Sequence, residues 1–291
     1  MKVFLTGATG WVGSVIVREL LQAGHQVAGL ARSADRAEAL ANTGARVVRG
    51  TLDDLALLRA EADAADAVIH TAFNHDFSRF AENAVQDRVA IRTLAEGLAG
   101  SDRRLIVTSG VAVVSPGQVA LEAMAQEDHS HPRQSEQEAA AAQRLGVRVS
   151  SVRLAPSVHG AGDHGFVPLL IDLARRTGVA AYLGDGGNRW PAVHRLDTGS
   201  LYRLILESAE PAFAYHGVAE QGIAFKAIAE IIGRRLGLPV EPRGEAHFGW
   251  FARFAGGDFP ASNVQTRQAL NWTPTQPGLL EELDSSAYFP D

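Results

Sequence analysis

Val3-Phe4-Leu5-Thr6-Gly7-Ala8-Thr9-Gly10-Trp11-Val12-Gly13 runs from a short apolar strand pattern through three evenly spaced glycines straight into a helical pattern. Glycine allows a tight turn and lets backbone N–H groups come close to a ligand, while the amino end of the following helix favours negative charge. A strand, a glycine turn and a helix in immediate succession therefore predict a site for the pyrophosphate of a dinucleotide. Gly7, Thr9, Gly10, Trp11, Val12 and Gly13 are expected around it.

Outward from this turn, strand-like runs fall near Val3–Thr6, Gln26–Leu30, Arg46–Arg49, Ala67–Thr71, Arg104–Thr108 and Arg148–Arg153. Helical patterns lie between them, near Trp11–Ala23, Ala34–Asn42, Asp54–Ala62, Phe77–Ala99 and Ser135–Leu145. Such alternation builds a parallel sheet covered on both faces, so the fold class expected is α/β, a Rossmann doubly wound parallel sheet of six or seven strands. After Pro156 the pattern is broken by Gly-rich loops, and a further helix is expected over Phe225–Leu236, stopped by Gly237 and Pro239. The division expected is residues 1–155 for the cofactor and residues 156–291 for a small, mostly substrate-side lobe that also completes the sheet, all in one compact unit. Trp190 with Trp250, Phe251, Phe254 and Phe259 suggests an apolar pocket, with Arg153, Arg189 and Arg195 on its rim.

The end of the second strand chooses between cofactors. A carboxylate there would hold the ribose hydroxyls of NAD, whereas a 2′-phosphate needs cationic donors. The strand ends Leu30-Ala31-Arg32-Ser33, with Arg36 a turn later and no acid before Asp35. Arg32, Ser33 and Arg36 therefore predict NADP(H), through forked donation and a hydroxyl.

Composition narrows the remaining classes. The chain of 291 residues has no cysteine, which excludes disulfides and thiolate catalysis, and carries a net charge of −6 with scattered basic residues, so no nucleic-acid partner is expected. No apolar run reaches the ~18 residues of a bilayer span, and no leader pattern follows Met1, so a cytoplasmic protein without a membrane partner is expected. Asp128, His129 and His131, or His159, Asp163 and His164, lack the spacing of a metal centre, and no metal is expected.

The glycine spacing Gly-x-x-Gly-x-x-Gly resembles the short-chain dehydrogenase/reductase superfamily, especially its extended and atypical branches related to nucleotide-sugar epimerases. Later segments agree in order: His70-Thr71-Ala72-Phe73, Thr108-Ser109-Gly110, Arg153 to Gly160, Val193-His194-Arg195-Leu196-Asp197, and Ala269-Leu270-Asn271-Trp272-Thr273-Pro274. The resemblance implies further cofactor contacts from Leu52, Thr71, Ala72, Phe73, Thr108, Pro156, Ser157 and Val158. It also implies pairing between subunits through the helices near Phe77–Ala99 and Ser135–Leu145, so a monomer or a homodimer is expected.

The family's catalytic set is a Ser/Thr, a Tyr and a Lys four residues after it. Lysine occurs only at Lys2 and Lys226, and neither lies four residues after a tyrosine. By resemblance Pro132 falls at the tyrosine, Glu136 at the lysine and Gly110 at the serine. Glu136, facing the ribose as the lysine would, could accept its hydroxyls. The proton donors that remain are Ser109, Thr108, His194 and His159, since histidine titrates near neutrality. Two classes of function follow: an NADP(H)-dependent oxidoreductase acting on a small carbonyl or nucleotide-sugar-like substrate through a non-tyrosine acid, or an NADP(H)-binding redox sensor or scaffold without turnover. A sugar epimerase or dehydratase is a third, weakened by the missing tyrosine.

Overall fold

The computed structural model describes residues 1–126 and 128–289. Its strands are β1 (Lys2–Thr6), β2 (Gln26–Ala31), β3 (Arg46–Arg49), β4 (Ala67–His70), β5 (Arg104–Gly110), β6 (Arg148–Leu154), β7 (Ser157–His159), β8 (Ala180–Tyr182), β9 (Arg189–His194), β10 (Ala214–Gly217), β11 (Glu220–Ala224) and β12 (Val240–Pro242). The helices through the first half are α1 (Gly13–Gln22), α2 (Ala34–Ala41), α3 (Leu55–Asp63), α4 (Phe80–Leu98) and α5 (Ser135–Ala142). Later come α6 (Phe166–Thr177), α7 (Arg195–Glu207), α8 (Phe225–Leu236), α9 (Glu245–Phe248), α10 (Ala252–Ala255), α11 (Val264–Leu270) and α12 (Leu279–Leu283).

Seven strands form one sheet in the order β10-β6-β5-β4-β1-β2-β3, and β3, β2, β1, β4 and β5 run parallel. This is the expected doubly wound α/β class, with β10 as a seventh strand. Val3, Phe4 and Leu5 of β1 and all of β4 are buried in succession, because helices cover both faces.

The chain packs as two compact units. The first comprises residues 1–109, 128–153 and 198–215, the second residues 110–126, 154–197 and 216–289. A division after residue 155 does not describe them. Residues 110–126 pack with the second unit, where the Gly117 N–H donates to the Asp258 carbonyl at 2.8 Å and Ala120 bridges Ala261. Residues 198–215 pack with the first, where the Arg104 guanidinium donates to the carbonyls of Ile205 and Ser208, each at 2.6 Å, and Arg203 pairs with Glu19 at 2.8 Å.

The first unit's core joins Phe4, Val48, Leu58, Ile91, Leu94, Leu105 and Val149 between sheet and helices. The second unit has its own core around Trp190, Phe225, Ile228, Phe248 and Phe251. Trp190 and Phe251 are fully buried, edge to face at 5.9 Å, and pack with Phe254 and Phe259 into a core instead of lining the pocket their composition suggested, while Trp250 is exposed. Arg153, expected on a rim, is 1% exposed inside the first unit.

Candidate functional site

The glycine turn is fixed by sterics. Gly7 has φ of 73°, and a Cβ there would stand 2.6 Å from Thr71 Oγ1 and 2.7 Å from the Ala72 nitrogen. A Cβ on Gly13 would overlap the Gly7 carbonyl, and the Gly10 N–H donates to that carbonyl at 2.8 Å. Only glycine fits at positions 7 and 13. Thr71 and Ala72 are thereby brought against the turn, with Thr71 Oγ1 donating to the Thr6 carbonyl at 2.9 Å. No side chain caps the amino end of α1, and Trp11 and Val12 lie partly buried just before it. The Ser14 N–H donates to the Gly10 carbonyl at 3.0 Å and the Val15 N–H to the Val12 carbonyl at 3.1 Å, so what this helix end offers an anion is the positive end of its dipole.

At the end of β2, Arg32, Ser33 and Arg36 are all exposed. Ser33 Oγ caps α2 by accepting from the Arg36 N–H, and Arg36 Nη1 donates to the Thr9 carbonyl at 3.3 Å. That contact ties the start of α2 to the glycine turn. Leu52 packs partly buried against the first unit's core, beside a turn in which Thr51 N–H donates to Asp54 at 2.6 Å. Of the cofactor positions expected in the second unit, Pro156 and Val158 are partly buried. Ser157 is buried, and its hydroxyl oxygen has no hydrogen-bond partner among the described residues. A buried hydroxyl without a protein partner is what a ligand- or water-binding group shows. The glycine cradle at the start of α1 fits the pyrophosphate of a dinucleotide.

Beside the turn lies a buried polar network within the first unit. Thr6 Oγ1 is 2.7 Å from His70 Nδ1, and His70 Nε2 is 3.1 Å from Asp87 Oδ1. Ser135 Oγ donates to Asp87 Oδ2 at 2.6 Å, Arg133 Nε to Ser135 Oγ at 3.2 Å, and Arg133 Nη2 to the Thr108 carbonyl at 3.1 Å. Thr108 Oγ1 donates to the His70 carbonyl at 2.8 Å, so its 2.7 Å contact with Tyr202 is donated by the phenol. Burial alone would raise the Asp87 pKa, but the His70 hydrogen bond and the charges of His70 and Arg133 outweigh it and hold the carboxyl below its ordinary value. Burial pushes the Tyr202 phenol up, so it stays protonated. Ser109 is also buried, at the carboxyl end of β5.

Arg133 is the residue that sequence reasoning passed over. Its guanidinium lies 4.3 Å over the Phe73 ring, at the end of β4 beside the glycine turn. Glu136 does not face outward as a ribose acceptor would. It is buried and held by Arg153 through Nε at 2.6 Å and Nη2 at 2.8 Å, and by Ser151 Oγ at 2.8 Å. A polar run such as Ser150-Ser151-Val152-Arg153 in a buried strand was the available signal, because a charge there requires a partner.

In the second unit His159 and His194 meet at one carboxylate. His159 Nδ1 is 2.7 Å and His194 Nε2 3.4 Å from Glu282 Oε2. His194 Nδ1 accepts from the Leu196 N–H at 3.2 Å, which leaves the ring proton on Nε2 toward Glu282. His159 is fully buried, and that burial depresses its pKa despite Glu282. Asp163 accepts from the Tyr288 phenol at 2.7 Å, and burial raises the Asp163 pKa. Trp272 Nε1 donates to the Asp197 carbonyl at 3.3 Å, and the Asp197 carboxylate accepts from the N–H groups of Thr275 and Gln276. The motif around His194 and the one around Trp272 therefore brace each other. Among the described residues no group of three or more His, Asp or Glu side chains is placed to hold a metal ion.

The model of the NAD dependent epimerase/dehydratase family matches residues 3–216. This chain belongs to that family. An uncharacterized protein of Schizosaccharomyces pombe is 45% identical over 295 residues, covering 99% of this chain and 100% of the relative. The 2-alkyl-3-oxoalkanoate reductase of Stenotrophomonas maltophilia is 27% identical, over 75% of this chain and 69% of that protein. A crystal structure of dTDP-glucose 4,6-dehydratase from Streptomyces venezuelae with NAD bound matches 99% of this chain and 96% of that one with a TM-score of 0.76 at 22% identity, a likeness of fold.

As a member of the NAD-dependent epimerase/dehydratase family the chain has the family's sheet and glycine turn, and the family binds NAD(P). Pro132, expected by resemblance at the family's tyrosine, is exposed; Arg133 is hydrogen-bonded to Ser135 and the Thr108 carbonyl, and Glu136 is committed to a buried ion pair with Arg153. Among the described residues no helix is long and apolar enough to cross a membrane.

Proposed function

We propose that the chain is an NADP(H)-dependent oxidoreductase that reduces a small carbonyl compound with a proton from a group other than tyrosine. The observation that carries this is the end of β2, where Arg32, Ser33 and Arg36 stand exposed and Arg36 reaches the glycine turn at Thr9. Two guanidinium groups and a hydroxyl suit a 2′-phosphate, and no carboxylate stands where NAD would need one. The family relationship and the reductase among its relatives support a carbonyl substrate.

The nicotinamide, when bound, supplies the hydride. The chain's own residues bind and orient. The glycine turn and the amino end of α1 would hold the pyrophosphate, and Thr71, Ala72 and Phe73 the wall beside it. Among the four candidate acids, Thr108 is committed to the His70 carbonyl, and His159 and His194 to Glu282. Ser109 remains the one beside the network at the end of β5. A homodimer through α4 and α5 or a monomer both suit the exposed Val85 and the Arg92–Glu138 pair, and sedimentation separates them.

Calorimetry tests the reading. NADPH should bind at least about tenfold more tightly than NADH, roughly 1.4 kcal/mol, and Arg32→Ala should remove that preference. Equal affinities refute it. Binding without turnover is the second reading, favoured by the burial of Glu136 against Arg153, which leaves the family's lysine position without a group toward the cofactor. NADPH oxidation by no member of a carbonyl panel, with NADPH bound, would establish that reading instead.

A further inference from the structure

At the carboxyl end of β4 the first unit carries an aromatic surface outside its core. Phe73, Phe77 and Phe80 are each only partly buried, and His75 is exposed. Phe73 and Phe80 lie 5.8 Å apart, Phe77 stacks on Phe80 at 6.2 Å, and His75 meets Phe73 edge-on at 5.4 Å. His131 closes the other side, edge-on to Phe80 at 5.9 Å, and the Arg133 guanidinium covers one face of Phe73. Contiguous aromatic surface left in water costs free energy and marks a binding face. This one begins a single residue after Ala72, which is packed on Gly7.

Its polar edge says what it would bind. Arg133 lies beside Asp87, with Ser135 between them, so the group is close to charge-balanced and calls for no anionic ligand. His131 Nδ1 stands 3.2 Å from the Arg133 N–H and 3.3 Å from the Arg133 carbonyl. With Nδ1 accepting from the Arg133 N–H, the ring proton stands on Nε2, ready to donate to an oxygen.

We propose that this surface is the substrate platform of the oxidoreductase reading above, on which it rests, and that it takes a neutral aryl ketone or related planar aromatic carbonyl compound. The ring lies on Phe73 and Phe80, and the carbonyl oxygen meets the His131 edge.

Acetophenone and cyclohexyl methyl ketone have the same carbon count and carbonyl but differ in the π face. Their affinities are measured by calorimetry on the full chain, alone and with NADP⁺, so that no turnover intervenes. Acetophenone should bind about three- to tenfold more tightly, the ratio one aromatic contact supplies. Phe73→Leu/Phe80→Leu should bring the two ketones to parity. If that variant does not fold, Phe77→Leu should reduce the ratio, and the acetophenone ring protons should show nuclear Overhauser contacts to Phe80. Equal affinities in the unaltered chain, or a preference that survives both variants, overturns the proposal. Failure of NADP(H) binding with the aryl preference intact refutes the redox reading and leaves the platform standing.

Discussion

Removing the carboxylate of Glu136 tests whether this side chain, expected by resemblance at the family's lysine position, is a structural group buried against Arg153. Glu136 is 5% and Arg153 1% exposed, and the pair is bidentate at 2.6 and 2.8 Å. Deleting one partner of such a pair leaves a buried charge without its counter-charge and costs about 3–5 kcal/mol. For a chain of this size that corresponds to a fall in Tm of about 6–20 °C. Glu136→Ala should show this loss in urea unfolding followed by circular dichroism. Glu136→Leu/Arg153→Met, which replaces the pair with apolar groups of similar volume, should recover most of it. Folded Glu136→Gln should bind NADPH as the unaltered chain does. A cost below about 1 kcal/mol for Glu136→Ala, or a tenfold loss of NADPH affinity in Glu136→Gln with unchanged stability, would refute a purely structural carboxylate.

Gly13→Ala should abolish NADPH binding in a fluorescence titration, because the new methyl overlaps the Gly7 carbonyl, and retained affinity would show that the turn opens freely. Replacing any of Tyr182, Tyr202, Tyr215 or Tyr288 with Phe should leave turnover within about tenfold, whereas losing a true general acid costs about 10²–10⁴. One such variant that binds NADPH but no longer oxidises it would identify a catalytic phenol. The buried His159 has its pKa depressed below the ordinary 6.5, so between the two values the unfolded chain binds more protons and stability rises with pH. Stability should therefore fall as the pH is lowered below about 6.5, and His159→Gln should flatten that slope in urea titrations at several pH values.

The glycine turn was legible because its requirements are local. Positive φ at Gly7 and the contact of Gly13 with Gly7 are set within seven residues, and the distant Thr71 and Ala72 close on a turn already shaped by them. The alternation of strands and helices was legible for the same reason. Two boundaries moved for local causes: α1 begins at Gly13 because the turn occupies the residues before it, and the long helix begins at Phe80 because Phe77–Arg79 forms a separate 3-10 turn. Long-range pairing was not legible. Trp190 and Phe251 have the same composition whether they line a pocket or fill a core, and only packing tells these apart. Arg133, Ser135, Asp87 and His70 come from three stretches of chain, and each has an ordinary surface role in isolation. The division of the chain into units was equally hidden, since residues 198–215 join the first unit through the carbonyls that Arg104 finds at Ile205 and Ser208.

The placement of β10 at the end of the seven-stranded sheet carries a consequence for the ribosome. The roughly hundred residues that separate Gly110 from Ala214 take about 5–20 s to emerge at 5–20 residues per second. Through that interval the nascent sheet can hold β1 to β5, and later β6, but not its last strand. At the opposite margin β3 carries the outward charges of Arg46 and Arg49, whereas β6 carries only Arg148 outward and is otherwise buried along most of its length in the finished sheet. The growing chain thus passes through a stage in which the β6 margin is left unpaired. Stalled translation or truncation ahead of Ala214 should deliver that margin to chaperones or to aggregates, while the same break after Gly217 should not.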